Sequence, residues 1–227
     1  MSQAITPTKT SSKKIREAAK QLNPIDDPLF EKMAESKPFC QEILRTFLEE
    51  PDLIVLTNTP QKSYENLQGR SIRVDLVCDI DSGQVVNVEV EKNSLNHWNR
   101  VIYNFSIITT NMTDPGTEFD DIHKVIVVYI TRKDFLKLGR SKYIVEDYVK
   151  DYGPLPGVFT SKIFINATVD DGSPIAQLMK IFTEDDAYDE ERFHETSYLK
   201  KHYKKQKKWL ELCLILSEIF LVKILEI

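Results

Sequence analysis

The residue pattern predicts a mixed α/β domain, and three features carry that prediction. Residues 71–80 and 84–91 alternate around a short turn, as a hairpin does. Residues 124–131 form a continuous β-branched run, the mark of a strand buried on both faces. Segments with apolar residues at helical spacing lie before, between and after these strands. A chain of 227 residues accommodates one such domain with a sizeable core.

In chain order, residues 1–14, rich in Ser, Thr and Lys, read as a mobile basic arm. The core is expected over 15–170 and a helical C-terminal extension over 171–227. A helix over about 15–22 is broken at Asn23-Pro24. Asp26 or Asp27 then stands where an N-cap belongs, with Pro28 suited to the first turn. Pro38 ends or interrupts that helix, and Phe39, Ile43, Leu44, Phe47 and Leu48 continue at helical spacing. After the hairpin, Asn93 or Ser94 caps a helix whose apolar positions are Leu95, Trp98, Ile102, Phe105 and Ile108. A further strand is expected over 158–167, and Ser173-Pro174 opens a helix through Ile175, Leu178, Met179 and Phe182. The remainder reads as helical.

Several chemistries are excluded. Cys40, Cys78 and Cys213 are far apart and have no metal-ligand spacing, so neither a disulfide framework nor a zinc site is implied. No secretory leader opens the chain, and the apolar 209–227 stretch carries Glu211, Glu218, Lys223 and Glu226, too many charges for a membrane span. A cytoplasmic protein that does not enter membranes is the expectation. There is no phosphate-binding P-loop and no nucleophile elbow. The net charge of −5 does not advertise a nucleic-acid partner, but lysines cluster at Lys9, Lys13, Lys14 and Lys20 and again from Lys200 to Lys208. Such runs permit phosphate tracking and serve equally as solvated surface.

The hairpin carries the chemistry. Asp81-Ser82-Gly83 makes a three-residue loop with Gly83 at the position that favours left-handed backbone. That loop sets Ile80 opposite Gln84, Cys78 opposite Val86, Asp75 opposite Glu89 and Arg73 opposite Glu91. One face then holds Ile72, Val74, Leu76, Cys78, Ile80, Val86, Val88 and Val90, and is uniformly apolar. The other holds Arg73, Asp75, Val77 and Asp79 with Val85, Asn87, Glu89 and Glu91. A slip of one residue would mix the two sets. Opposed Asp75 and Glu89 repel unless a cation sits between them, and paired hard oxygen donors suit Mg2+, or Mn2+. A polar sheet face turned to solvent accounts for the same pattern without any metal.

These residues resemble the PD-(D/E)XK nucleases, specifically the transposase-like group. Arg73-Val74-Asp75 resembles the group's R-x-D strand, and Val88-Glu89-Val90-Glu91 its I-E-x-Q strand. Asp27-Pro-Leu-Phe30 is similar to an early D-x-x-F-K element, and Arg100-Val-Ile-Tyr103 to an R-x-x-Y helix. The similarity extends to the stretch 175–182 and covers about 22–203. It implies a restriction-endonuclease-like core: a helix, a three-stranded antiparallel meander, a helix and a further strand, with a helical C-terminal annex. It also implies Mg2+-dependent DNA endonuclease activity in recombination or transposition, with Asp75 and Glu89 as metal ligands and Asp27 and Glu91 as further catalytic acids. DNA is the implied partner, and a homodimer is compatible with the pattern.

One departure stands out. The group has Gln or Lys where this chain has Glu91, and an ionised glutamate offers neither a positive charge nor a donor. Glu91 is then a further ligand or water-orienting base, or else the chain is an inactive remnant that binds DNA or protein. Lys92 is the nearest lysine, but strand alternation turns it to the opposite face. His97 and Arg100, on the polar side of the next helix, are candidates for substrate phosphate, and Glu42 or Glu49 for an additional acid.

Overall fold

The computed structural model describes residues 20–66, 69–91, 97–134, 136–154, 161–206 and 209. Helices α1 (Asp27–Ala34) and α2 (Lys37–Leu48) precede three strands, β1 (Val55–Tyr64), β2 (Ile72–Ile80) and β3 (Val85–Glu91). Helix α3 (His97–Asn111) and a 3-10 turn (Phe119–Asp121) lead to β4 (Val125–Thr131). Strands β5 (Lys142–Val145), β6 (Tyr148–Val149), β7 (Gly153–Pro154) and β8 (Ser161–Asn166) follow, then helices α4 (Pro174–Thr183) and α5 (His194–Lys205). The basic arm, most of the helix expected over 15–22, the Asn93/Ser94 cap and the apolar 210–227 stretch lie outside the described residues.

Six strands form one mixed sheet in the order β1-β2-β3-β4-β8-β5, and β6 and β7 pair separately. β1, β2 and β3 run antiparallel as a meander, whereas β4 lies parallel to β3 and β8 parallel to β4. A parallel neighbour needs a crossover, and α3 supplies the one between β3 and β4. The seven residues of β4 are all buried, as its β-branched run requires. The molecule is therefore α/β with a mixed six-stranded sheet. β1 could not be placed from the sequence: its stretch Val55–Tyr64 contains Pro60, four polar residues in a row after it, and positive φ at Gln61.

Side chains pack on both faces of the sheet. On one, α1, α2 and α4 bury Phe30, Phe39, Phe47 and Phe182 against Leu76, Cys78, Val86 and Val88. On the other, Val101 and Ile108 of α3 meet Val74, Val77, Val85, Val127 and Phe164. Three sequence expectations change here. The polar face of the hairpin is only partly solvated: Val77, Val85, Asn87 and Glu89 are buried on the side that α3 covers, while Arg73 is exposed. Val74 joins the second core, not the first, and Ile72 packs beside it. On α3 the buried stripe is Val101, Asn104, Ile107 and Ile108, while Trp98 and Ile102 are exposed. Both Trp98–Ile102 and Val101–Ile108 have helical spacing, and periodicity alone cannot choose between adjacent apolar faces.

The helix boundaries follow from their caps. Asp26 is the N-cap of α1, with its carboxylate turned back to accept from the Asn23 N–H at 2.8 Å, which leaves Asp27 as the first helical residue. Pro38 begins a helix where the sequence suggested an end: Ser36 caps α2, and its hydroxyl accepts from the Phe39 N–H. Ser173 caps α4 in the same way, and Ile175, Leu178, Met179 and Phe182 are buried as their spacing predicts. Residues 184–193, between α4 and α5, form turns, which corrects the expectation that the remainder of the chain after the short helix is helical. Among the described residues no helix is long and apolar enough to cross a membrane.

α5 has no cap of its own. The Glu42 carboxylate, reaching from α2, accepts from the Glu195 and Thr196 N–H groups at 2.9 and 2.8 Å and from the Thr196 hydroxyl at 2.6 Å. Buried Lys200 donates to the carbonyls of Ile181, Glu184 and Ala187 at the end of α4, and burial lowers its ammonium to about 8. Glu42→Ala is expected to cost about 1–3 kcal/mol, because three donors at a helix start lose an anionic acceptor. Denaturant unfolding of the two proteins measures it; an unchanged midpoint would show that water replaces the carboxylate at no cost.

Candidate active site

The site forms where two strands part. The β2–β3 ladder pairs Asp79 with Val85, Cys78 with Val86, Val77 with Asn87 and Leu76 with Val88. It stops there. Beyond it β2 stays with β1, pairing Val74 with Lys62 and Ile72 with Tyr64, while β3 stays with β4 as far as Glu91 opposite Thr131. Asp75 and Glu89 occupy the next step of the broken register, and their side chains take over from the ladder. The Val90 N–H donates to Asp75 Oδ2 at 2.9 Å, and the Asp75 N–H to Glu89 Oε1 at 3.3 Å. The turn behind this register is as expected, with Gly83 at φ 78°.

Glu89 is fully buried. Its Oε1 also accepts from Asn87 Nδ2 at 3.1 Å, and its Oε2 from Arg100 Nη2 at 3.2 Å. Arg100 turns its other nitrogen to Glu91 Oε2 at 2.7 Å. Gln61 Nε2 lies 3.4 Å from Asp75 Oδ1. Asp27, freed from capping, starts α1 within electrostatic range of Asp75 and Glu91. Asp27, Asp75, Glu89, Glu91 and Arg100 are thus assembled from α1, β2, β3 and α3, although Asp27 and Arg100 are 73 positions apart in the sequence.

The electrostatics are those of acids crowded out of water. Burial, then the charges of Asp75 and Glu91, raises the Asp27 carboxyl from 3.8 to about 6. Burial raises Asp75 against the opposing help of the Val90 N–H and Arg100. Burial and then Asp75 push Glu89 to about 8 despite its three donors. Burial alone would lower the Arg100 guanidinium, but Glu89, Tyr129, Glu91 and Asp75 together raise it. Tyr129, on β4 directly beside Glu89, is buried and its phenol is raised by burial in the same field.

Raised carboxyls on hard oxygen donors are what a divalent cation would relieve. Asn87 Oδ1, buried two residues from Glu89 on the same strand, accepts no hydrogen bond among the described residues. Yet among the described residues no group of three or more His, Cys, Asp or Glu side chains is gathered closely enough to hold a metal ion. What the described residues offer a cation is at most a pair of carboxylates, Asp75 and Glu89, with the remaining positions left to water.

Other candidates fall elsewhere. Glu42 is the remote cap of α5, and Glu49, in left-handed backbone at the end of α2, pairs with Lys142 at 3.3 Å. His97 begins α3, and its side chain and Lys92 lie outside what is described. Gln61, Asn87 and Tyr129 had no role in the sequence-based expectation. Asn87 was visible as a polar residue on the acidic face; Gln61 and Tyr129 come from strands whose register cannot be read locally.

Comparison with known proteins finds no match among protein-family models, curated proteins or solved structures.

Proposed function

We propose that the chain is a Mg2+-dependent DNA endonuclease of the transposase-like PD-(D/E)XK type, built on a restriction-endonuclease-like core and acting in recombination or transposition. One observation carries the reading: Asp27, Asp75, Glu89 and Arg100, separately picked out by resemblance, meet at one split in the sheet. Asp75 and Glu89 would hold the ion. When bound, it lowers the pKa of a water and polarises a phosphoryl oxygen. Arg100, half-exposed between Glu89 and Glu91, orients the carboxylates and offers a cation towards substrate phosphate. Asn87 fixes the Glu89 carboxylate, and burial of Glu89 excludes water from that side.

A second reading has its own support. Arg100 bonds both Glu89 and Glu91, so the acids carry an internal counter-ion, as a catalytically silent DNA- or protein-binding remnant would. Nicking of supercoiled plasmid with and without Mg2+ or Mn2+ tests activity, and Glu91 decides between roles. If the chain is a weakened nuclease, Glu91→Gln and Glu91→Lys raise cleavage several-fold by supplying a donor and removing negative charge. If Glu91 is an adapted ligand, both variants lose metal affinity and cleavage together. No nicking by any of the three proteins with either metal selects the remnant.

A further inference from the structure

Beside the acidic split lies a groove of about 730 Å3, walled by Arg70, Ile72 and Arg73 on one side and by Asn99, Arg100, Tyr103 and Asn104 of α3 on the other. Its charge is opposite to that of the neighbouring site. Arg70 is exposed, and among the described residues no carboxylate pairs with its guanidinium. The Arg73 side chain is 60% exposed, and among the described residues the carboxylate it reaches is Glu31, at 3.9 Å. Arg100 belongs to both places, with the carboxylates at one end and the groove at the other.

The groove is held in shape. The Tyr103 hydroxyl donates to the Arg70 carbonyl at 2.6 Å and accepts from Asn66 Nδ2 at 3.2 Å, tying the start of β2 to α3. It also contains a largely buried asparagine whose amide the described protein does not satisfy. Asn104 is 4% exposed and lines the groove, yet its amide makes no hydrogen bond within the described protein. The amide is not closed off from the groove, so its donor and acceptor are open to a polar ligand there. Salt bridges would not account for it, since an amide offers both donor and acceptor. The surface fits an anion that also presents hydrogen-bonding groups.

We infer that this groove binds the sugar-phosphate backbone of a nucleic-acid strand next to the carboxylate site, with Arg70 and Arg73 on phosphates and the Asn104 amide on the polar groups between them. The inference rests on the nuclease reading for its choice of ligand, and it places the substrate on the α3 side of the split. It also answers the overall charge: a chain of −5 binds DNA through a local arginine surface.

The test is binding, separated from cleavage by Ca2+ in place of Mg2+. Fluorescence anisotropy of the full chain with labelled single-stranded and duplex oligonucleotides, over a salt series, is compared for wild type, Arg70→Ala/Arg73→Ala and Asn104→Ala. The double variant is expected to bind at least about tenfold more weakly, with a salt slope shallower by nearly two. Asn104→Ala should weaken binding with the slope unchanged, because no charge is lost. Thermal melts check that each variant is folded, and both arginines are exposed enough for the melt to stay in place. Affinity and slope unchanged in the double variant overturn the inference. Competition by inorganic phosphate at equal concentration of anion, abolishing the effect of the arginines, would show a small-anion site and likewise overturn it. If wild type binds through the arginines but never nicks plasmid with any metal, the groove stands and the nuclease reading falls.

Discussion

Asp75→Asn is expected to remove Mg2+-dependent cleavage, by at least about a hundredfold, while leaving the fold as stable as before or more so. The substitution changes charge and little else. Asparagine keeps an oxygen to accept from the Val90 N–H, which Asp75 now holds at 2.9 Å, so the split in the sheet retains its hydrogen bond. It removes one of the charges that raise Asp27 and Glu89, so the remaining acids ionise more readily. Metal binding should weaken in step with cleavage, because one of two carboxylate ligands has gone. Isothermal titration with Mg2+, plasmid nicking and a thermal melt give the three readings. A variant that melts normally and still nicks at the wild-type rate would remove Asp75 from the reaction. One that fails to fold would show that the carboxylate charge holds the split together.

The hairpin was legible because its constraints are local. Three loop residues and an alternating pattern set the register of Asp75 against Glu89, and the structure has the Cys78–Val86 pairing that the register demands. What failed to appear was the point where the ladder stops. Val74 sits on the other core because β2 leaves β3 at Asp75, and nothing in the alternation of 71–80 marks that divergence. It is imposed from outside, by β1 holding one strand and β4 the other. The covering of the acidic face by α3 was hidden for a related reason. α3 has two apolar faces at helical spacing, and only the parallel crossover to β4 decides that Val101 and Ile108 turn inward. Asp27 shows the converse. Its local signal, an acid before Pro28, suggested a cap, but Asp26 takes that position and Asp27 becomes available to Asp75. Glu42 was a candidate because it lies on the helix before the sheet, where the resembled group can add an acid; its actual partner is 153 positions away.

The metal-free protein should lose stability as pH rises from 5 to about 8, opposite to the behaviour of a protein whose acids are stabilised as carboxylates; above that Lys200, lowered to about 8, contributes with the opposite sign. The sign follows from the raised carboxyls. Asp27 moves from 3.8 to about 6 and Glu89 from 4.5 to about 8, so folding favours their protonated forms. The folded state then binds more protons than the unfolded chain at every pH between the paired values. Stabilisation from these groups is complete below about pH 4, where both states are protonated, and is lost as pH climbs through about 6 for Asp27 and about 8 for Glu89. Asp75, raised as well, adds in the same direction. Ionic crowding has a remedy in Mg2+, which binds the deprotonated acids and must release their protons, so its effect is small at pH 5 and grows towards pH 8. Thermal melts at pH 5, 6.5 and 8, with EDTA and with millimolar Mg2+, should therefore show a falling midpoint in EDTA that the ion restores only at the alkaline end. In Glu89→Gln the carboxyl titration at about 8 is gone, so the fall between pH 6.5 and 8 should shrink in EDTA and Mg2+ should restore little. A wild-type midpoint that rises with pH in EDTA would mean that Arg100 and the neighbouring donors outweigh burial and that the acids stand ionised as paired carboxylates. Restoration by Mg2+ equal in Glu89→Gln and wild type would place the ion elsewhere than between Asp75 and Glu89.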